Sequence, residues 1–343
     1  MKMNRPIIGI LYNRPVQKNS ECWESSADII EQVEAIETAL ARLGNRSVRI
    51  SFTGDLDNLL VQLRWDKADI VFNLCESANK DPFLVGHPAA ILELLQIPFT
   101  GSSALAHMLS KDKLLSKQLF IANDIPTPRY TLYDGDSITR PIGLRYPVIL
   151  KSRFQNSGFG IDQDSICRNA TEFTQKAQHF HKCYGSLLVE EYIDGQEFHV
   201  SLLGFPDPEI LPIGDIDFTE FPTDLHTIVG FNAKQSKFAT EFYYRPRLFT
   251  DELPLHTTRA MRRTARECFR VFMLRDYGQV NILVDQSQRI YVLEVNANPC
   301  LSPDAGFAVA AAQGDKCYPE LIYNIIQSVL QRFGKNDTHQ AVI

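Results

Sequence analysis

Paired cysteines are absent from this sequence. Its seven cysteines are scattered over 343 residues and form no CxxC pair. Neither a disulfide framework nor a zinc site is indicated, and reduced thiols are the simpler interpretation. No apolar stretch reaches the roughly 18–20 residues that span a bilayer, and the N-terminus lacks the long apolar region of a signal peptide. We therefore expect a cytoplasmic protein that does not bind membranes.

An excess of positive charge is also missing. The formal net charge is −6, whereas a general nucleic-acid binder would present a basic stripe. The sequence has no GxxxxGK[ST] segment, which argues against a P-loop kinase. With 44% hydrophobic and 22% charged residues, the chain suits a globular protein with more than one domain.

The N-terminal third alternates short apolar runs with helical patterns. Runs at 7–11, 48–52 and 68–74 have the composition of buried strands. Between the first two, apolar residues recur at helical spacing before Gly44, the expected helix end: Ile29, Val33, Ile36, Leu40 and Leu43. This alternation predicts a parallel sheet with helices on both faces.

The pattern changes after about residue 102. Strands are predicted at 146–151, 186–192, 198–203, 279–284 and 289–295, and helices at 113–122 and 256–274. A final helix is predicted from its apolar stripe, which consists of Leu321, Ile322, Ile325, Val329 and Leu330. The predicted fold class is therefore α/β in the first part and α+β in the rest.

Two neighbouring strands place polar side chains on shared faces. Glu294 and Asn296 share a face of the later strand, and Gln279 and Asn281 share a face of the earlier one. Only the polar turn 285–288 separates them, so we expect an antiparallel hairpin with Asn281 beside Glu294. A carboxylate and amide carbonyls are hard ligands that suit Mg²⁺. The alternative is that Glu294 and Asn296 merely end a strand.

Two lysines and a glycine-bearing loop suggest a phosphate site. Lys151 ends an apolar strand and precedes the loop 156–160, whose backbone N–H groups could approach phosphate oxygens. Lys113 begins a predicted helix, and Glu190 and Glu197 flank a turn where a carboxylate could accept hydrogen bonds from adenine or ribose. Each of these residues, taken alone, has a simpler interpretation as an exposed surface charge.

Together these segments resemble the D-alanine–D-alanine ligase branch of the ATP-grasp superfamily. The resemblance covers essentially the whole chain and rests on segments that occur in one order: 97–102, 111–113, 148–160, 189–198, 232–234 and 293–299. It implies an ATP-grasp fold, in which an N-terminal parallel-sheet domain (1–104) precedes central (105–193) and C-terminal (194–343) domains that clamp ATP.

The activity implied by the resemblance is that of a carbon–nitrogen ligase that produces ADP. Such an enzyme forms an amide, or an imine, through an acyl phosphate, and it uses ATP with one or two Mg²⁺ ions. Its partners would be small-molecule carboxylate and amine substrates, not nucleic acid, and a homodimer is the default assembly.

The resemblance also implies ATP-binding roles at matching positions. Lys113 and Lys151 would contact the phosphates, under a covering loop that includes Ser157, Gly158 and Gly160. The adenine and ribose would meet Glu190, the hinge residues Glu191, Tyr192 and Ile193, and Glu197. Lys234 would lie in a lid near the γ-phosphate, and the implied catalytic residues are Lys234, Gln279 and Ser157.

Metal and substrate residues are implied in the same way. Glu294 and Asn296 would bind Mg²⁺, with Asn281 in the third ligand position. Glu21 or Glu24, in the loop after the first strand, would hold the ammonium of the first substrate.

The chain departs from the family pattern in two places. The family has Arg-x-Asp where this chain has Gln279-Val280-Asn281, so the oxyanion and the acceptor carboxylate lose a charged partner, and the metal site keeps one carboxylate instead of two. The loop after Pro299 contains Asp304, which would repel a free carboxylate. We therefore expect a substrate other than the D-alanine pair, in a pocket that includes Gln279 and Asp304. Two alternatives stay open: an ordinary D-alanine–D-alanine ligase, and an ATP-binding regulatory protein with impaired catalysis.

Overall fold

The structure is a computed structural model that describes residues 5–15, 23–78, 81–135, 143–154, 161–217, 226, 228, 245–248 and 253–336. Within these residues the strands form one parallel sheet near the N-terminus and two antiparallel sheets further along the chain. No helix in the described ranges has the length and apolar character needed to cross a bilayer.

The parallel sheet has the strand order β2-β1-β3. Its elements are β1 (Ile8–Asn13), α1 (Trp23–Arg42), β2 (Ser47–Phe52), α2 (Leu56–Asp66) and β3 (Ile70–Asn73). Alternate residues of one strand meet different helices: Phe72 packs in a core with α1, whereas Val71 packs in a core with α2. The prediction of a parallel sheet with helices on both faces is therefore confirmed.

Helix α1 buries the middle of its predicted stripe. Val33, Ile36 and Leu40 are fully buried, whereas Ile29 and Leu43 are only partly buried. Gly44 follows the helix with φ of +75°, a left-handed conformation that ends a helix without the steric cost that a Cβ would add.

The second sheet has the strand order β4-β7-β5-β6. Its elements are β4 (Tyr130–Tyr133), β5 (Val148–Ser152), β6 (Ile166–Cys167), α6 (Ala170–Tyr184) and β7 (Leu187–Glu191). Helix α6 is capped by the Asn169 side chain and packs Phe173, Ala177 and Phe180 into the core of this sheet. The sheet thus presents the ends of β5 and β7 to the neighbouring sheet.

The third sheet has the order β11-β10-β8-β12-β13, with β9 paired to β8. Its elements are β8 (Gly195–Leu203), β9 (Glu209–Ile210), β10 (Gly214–Asp217), β11 (Arg245–Leu248), α7 (Leu255–Val271), β12 (Tyr277–Asp285) and β13 (Ile290–Asn296). The predicted hairpin is confirmed: β12 and β13 are antiparallel, with Gln279 opposite Asn296 and Asn281 opposite Glu294.

The remaining helices connect the sheets. They are α3 (His87–Leu94), α4 (Ala104–Lys111), α5 (Lys113–Ala122), α8 (Gly306–Gln313) and α9 (Tyr318–Asn336). Phe120 of α5 lies in the core of the third sheet, and Ile322 and Ile325 of α9 share a core with Val33 of α1. Packing therefore crosses residue 104, and the domain limits at 104 and 193 stay a prediction.

One residue of the predicted C-terminal stripe was placed wrongly. Leu330 is 43% exposed, while Leu321, Ile322, Ile325 and Val329 are buried. A position next to Val329 is rotated by about 100° around a helix of 3.6 residues per turn, which turns Leu330 away from the core. Ile326, at 4% exposed, belongs to the buried face instead.

Candidate active site

A first cavity lies between the second and third sheets. Its walls come from β5 and β7 on one side and from β8, β12 and β13 on the other. Many of the predicted nucleotide and metal residues line it: Lys113, Lys151, Glu190, Glu191, Tyr192, Ile193, Glu197, Asn281 and Glu294. The sheet topology thus brings together residues that are up to 181 positions apart in the sequence.

Glu190 is the buried counter-charge for two lysines. It is 1% exposed, and its Oε2 lies 3.0 Å from Nζ of Lys151 and 3.3 Å from Nζ of Lys117. Burial raises the pKa of Glu190, but the two ammonium groups outweigh that effect and hold the pKa below its usual value. Lys117 also donates to Oγ1 of Thr127 at 2.6 Å. The predicted adenine-binding residue therefore fixes the lysine that points into the nucleotide cavity.

Asp112 sets the positions of two further lysines. It ends α4 and begins α5, and its Oδ1 accepts hydrogen bonds from the backbone N–H groups of Leu114 and Leu115. Arg153 holds the same carboxylate through both of its oxygens, at 2.8 and 2.6 Å. Because the chain turns at Asp112, Lys111 ends one helix and Lys113 begins the next.

Asn281 joins the metal and ribose residues of the first cavity. Its Nδ2 donates to Oε1 of Glu197 and to Oε1 of Glu294, each at 3.0 Å. Its Oδ1 accepts from Nε2 of Gln279 at 3.0 Å, and Nε2 of His199 lies 3.2 Å from Oε1 of Glu197. One neutral amide thus separates two carboxylates that would otherwise repel each other.

A second cavity adjoins the first. Lys113, Asn281, Leu293 and Glu294 line both cavities. The second one is also lined by Gln279, by Asn296, and by further residues from the loop after β3, from α4, from the loop after β13 and from the start of α8: Glu76, His107, Ser110, Lys111, Asn298, Cys300 and Gly306 among them. The polar end of the hairpin therefore forms the junction between the two cavities.

Comparison with known proteins identifies the family. Residues 136–327, more than half of the chain, match the family model described as D-ala D-ala ligase C-terminus. The chain belongs to this family. Two similar relatives are an uncharacterized protein, y4sG, of Sinorhizobium fredii (30% identical, 78% of this chain and 76% of that protein) and a D-alanine–D-alanine ligase of Carboxydothermus hydrogenoformans (29% identical, 87% and 92%).

A solved structure agrees with the fold. The D-alanine–D-alanine ligase of Bacillus anthracis, complexed with ATP, superposes with a TM-score of 0.76 over 97% of this chain and 100% of that chain, at 19% identity. The expected ATP-grasp fold is therefore confirmed. Family membership and these relatives identify an ATP-dependent carbon–nitrogen ligase of the D-alanine–D-alanine ligase type, and the non-enzymatic alternative is not supported.

The polar residues of the β12–β13 hairpin suit a Mg²⁺ ion whose coordination is completed by phosphate oxygens. Among the described residues, no three His, Cys, Asp or Glu side chains gather as a metal cage. Mg²⁺ keeps several waters and commonly needs only one or two carboxylates beside substrate phosphates. Glu294 provides a carboxylate and Asn296 an amide beside it, but Asn281 turns its Nδ2 to the carboxylates. The amide of Asn281 would have to rotate before its oxygen could join the metal site.

Several predicted residues lie outside the described part of the ligase or away from the cavities. Glu21, Ser157, Gly158, Gly160 and Lys234 are outside the described residues, and of Glu24 only the backbone, within α1, is described. Asp304 is exposed and lies outside the lining of both cavities, where Cys300, Ala305 and Gly306 represent its loop instead. The predicted repulsion of a substrate carboxylate by Asp304 therefore has no support from its position.

The sequence prediction missed Lys111 and His199, which line the second cavity, and Lys117, which pairs with the lining residue Glu190. Lys117 could have been found from its i+4 spacing to Lys113, which places both lysines on one face of α5. His199 could have been found from its i+2 spacing to Glu197 along β8. Lys111 was hidden, because a lysine at the end of a helix is ordinarily an exposed charge that favours the helix dipole.

Proposed function

We propose that this protein joins a carboxylate to an amine at the expense of ATP, on substrates other than a pair of D-alanines. One observation supports this choice above the others: the polar end of β12 is Gln279 hydrogen-bonded to Asn281, where the resemblance would place an arginine and an aspartate. The enzyme class follows from the family, and the changed substrate follows from this pair.

The chain's residues around the first cavity suit ATP. Lys151, held by Glu190, and Lys113, at the junction of the cavities, would neutralise the phosphates. Glu197, on β8, would accept a hydrogen bond from a ribose hydroxyl. Mg²⁺, held by Glu294 and Asn296 with Asn281, would supply charge for the transferring phosphoryl group. The loop 156–160 and Lys234 complete the proposed site by resemblance.

The proposed reaction has two steps. A carboxylate oxygen of the first substrate attacks the γ-phosphorus of ATP, and the bond to the β-phosphate oxygen breaks to give an acyl phosphate and ADP. The nitrogen of the amine then attacks the acyl carbon, phosphate leaves, and the nitrogen loses a proton to give an amide. The imine analogue arises if a keto group is activated instead. Lys113 lines both cavities, so one lysine serves the phosphoryl group in both steps.

The substrate argument rests on charge at Gln279. A charge-assisted hydrogen bond is about twice as strong as a neutral one, and loss of an oxyanion partner costs on the order of a hundredfold or more in rate. Nε2 of Gln279 is also engaged by Asn281. A D-alanine acceptor would therefore lose the partner that the family pattern provides, whereas a different substrate need not require it.

D-alanine–D-alanine ligation is the second candidate. It is favoured by the names of relatives that cover most of this chain, such as the ligase of Carboxydothermus hydrogenoformans. The two candidates share the fold, the ATP site and the family, and they differ in what occupies the second cavity. A homodimer is part of either proposal.

An ADP-release screen separates the candidates. The purified protein is incubated with MgATP and with D- and L-amino acids, singly and in pairs with other amines, and Glu294→Gln is the blank. We expect pairs other than D-alanine with D-alanine to give the highest rate, and Gln279→Arg to raise the rate with D-alanine. A rate with D-alanine alone far above all others would overturn the changed-substrate proposal. If no compound in the panel, alone or in a pair, stimulates ADP release, the proposal of ligase activity is overturned.

A further inference from the structure

Lys111 is a buried lysine in the wall of the second cavity. It is the last residue of α4, is 7% exposed, and lines the second cavity but not the first. The neighbouring turn at Asp112, fixed by Arg153, holds it in this place. Lys111 therefore borders the space beyond the proposed nucleotide site.

No hydrogen-bond acceptor or ion-pair partner within the described residues reaches this ammonium group. Lys117 provides a contrast, because it is still more buried, at 1% exposed, but is paired with Glu190 and Thr127. Burial lowers the pKa of Lys111 to about 8, against the weaker attraction of Glu76 and Glu294. An ammonium group on a mostly buried side chain is costly when no described residue pairs with it, so an anion in the second cavity would stabilise Lys111.

The end of a helix does not explain this lysine by itself. A cation in the last turn gains about 0.3–1 kcal/mol from the helix dipole, and an exposed side chain would gain that without the cost of burial. Arg270, for example, lies in the last turn of α7 with its side chain 71% exposed. The buried position of Lys111 therefore has to be explained by the contents of the cavity.

The anion is better assigned to a substrate carboxylate than to ATP phosphate. Lys113 and Lys151 line the first cavity with the proposed nucleotide residues, whereas Lys111 lines only the second. Glu76, on the loop after β3, lines the same second cavity. A cavity that presents both an ammonium and a carboxylate is complementary to a zwitterion, which has one group of each sign.

We propose that Lys111 binds the unreacted carboxylate of the amine substrate, so that this substrate is an amino acid. The inference rests on the proposed function, and it names the substrate class of the second cavity. It also assigns to α4 a positive charge that Gln279 on β12 does not provide. Lys111 is thus a proposed substrate-binding residue that lies on α4, outside the hairpin of β12 and β13.

The test compares amino acids with their carboxamides, glycine and glycinamide or D-alanine and D-alaninamide, for example, as the amine in the ADP-release assay. In the wild type we expect the carboxamide to have a KM about 10- to 100-fold higher than the acid, because a hydrogen bond to a charged group is lost. Lys111→Met should raise the KM of the acid by the same factor and leave the KM of ATP unchanged. Lys111→Arg keeps the charge and should retain most of the affinity, and Lys316→Met is the surface control.

Equal KM values for acid and amide in the wild type, or an unchanged KM for the acid in Lys111→Met, would refute the proposal. The wild-type comparison needs no variant to fold. If no amine supports ADP release, the ligase proposal fails. Thermal unfolding in the presence of MgADP then tests carboxylate binding by Lys111 independently of catalysis. A rise in Tm with glycine or D-alanine that is absent with the amides and in Lys111→Met would support carboxylate binding. The same shift in both proteins, or none in either, would reject it.

Discussion

The two lysines that pair with Glu190 provide a prediction whose size follows from burial. Glu190→Gln keeps the shape of the side chain and removes the charge that Lys117 and Lys151 share. Glu191→Gln is a matched control, because the neighbouring carboxylate faces Arg129 and Arg145, whose side chains are 64% and 84% exposed. The same chemical change is therefore made once among buried partners and once among solvated ones.

The change at Glu190 should cost far more than the change at Glu191. Lys117 is 1% exposed, and removing one partner of a buried ion pair costs about 3–5 kcal/mol. Neutralising a lysine at pH 7, from an unfolded pKa near 10.4, costs about 4.6 kcal/mol, which sets a similar upper limit. The pairs that Glu191 makes with its two exposed arginines should contribute less than about 1 kcal/mol to the free energy of unfolding. Because Lys151 has some access to solvent, the loss of its partner adds little to the expected loss of unfolding free energy.

Urea unfolding followed by circular dichroism, at several pH values, measures this difference. Burial lowers the pKa of Lys117 to about 8 even with Glu190 present, and without Glu190 it should fall further. Between pH 7 and 8 the unfolded variant would then bind more protons than the folded one, so its stability rises by up to about 1.4 kcal/mol per pH unit. In the wild type Glu190 keeps Lys117 mostly protonated at pH 7, so the wild-type stability rises less steeply with pH, and the gap in stability between wild type and variant should narrow. Equal losses for the two variants, or a gap that widens with pH, would refute the reasoning.

Two other predictions follow from hydrogen bonds in the structure. Asn281→Asp should lower the Tm in EDTA, because a third carboxylate joins the two that the amide now separates, and Mg²⁺ should restore it; a Tm independent of Mg²⁺ would contradict the proposed metal site. Arg332→Met should cost about 3–5 kcal/mol in urea unfolding, because Arg332 is 7% exposed and holds both oxygens of buried Asp276 at 2.9 and 2.7 Å. Arg289→Met removes a pair whose arginine is 69% exposed, and Asp285 keeps hydrogen bonds from the backbone N–H groups of Ser287 and Arg289; it should cost clearly less than Arg332→Met, so similar losses for the two arginine variants would contradict the burial argument.

The elements of the fold were predictable wherever burial imposed a period on the sequence. The run at 113–122 matches α5 from end to end, and the two strands around the turn 285–288 pair as expected. Short elements escaped detection: β6 and β9 have two residues each, too few to show a period. Their positions depend on pairing with β5 and β8, which are distant interactions that a local pattern does not contain.

The site was predictable as a set of residues but not as a set of contacts. Glu190, Lys151 and Glu294 line the cavity as expected, yet nothing local indicates that Glu190 faces two lysines. Lys117 reaches it from α5, across the boundary between two cores. Asp304 shows the reverse case, since its neighbours enter the second cavity and its own side chain is exposed. The residue type predicts the chemistry of a side chain, whereas packing decides which way that side chain points.

The pair Gln279 and Asn281 argues for an altered enzyme and against a decayed one. Replacing a single buried charge leaves its former partner uncompensated, which costs about 3–5 kcal/mol. Here two neutral amides bond to each other, and the second hydrogen-bonding group of Asn281 satisfies Glu197 and Glu294. A chain that had only lost its activity would have no reason to keep Lys111 buried where no described residue pairs with it, because that arrangement lowers stability. Lys111 therefore makes sense if its cost is offset by an anionic substrate, which is the outcome that the acid and amide comparison decides.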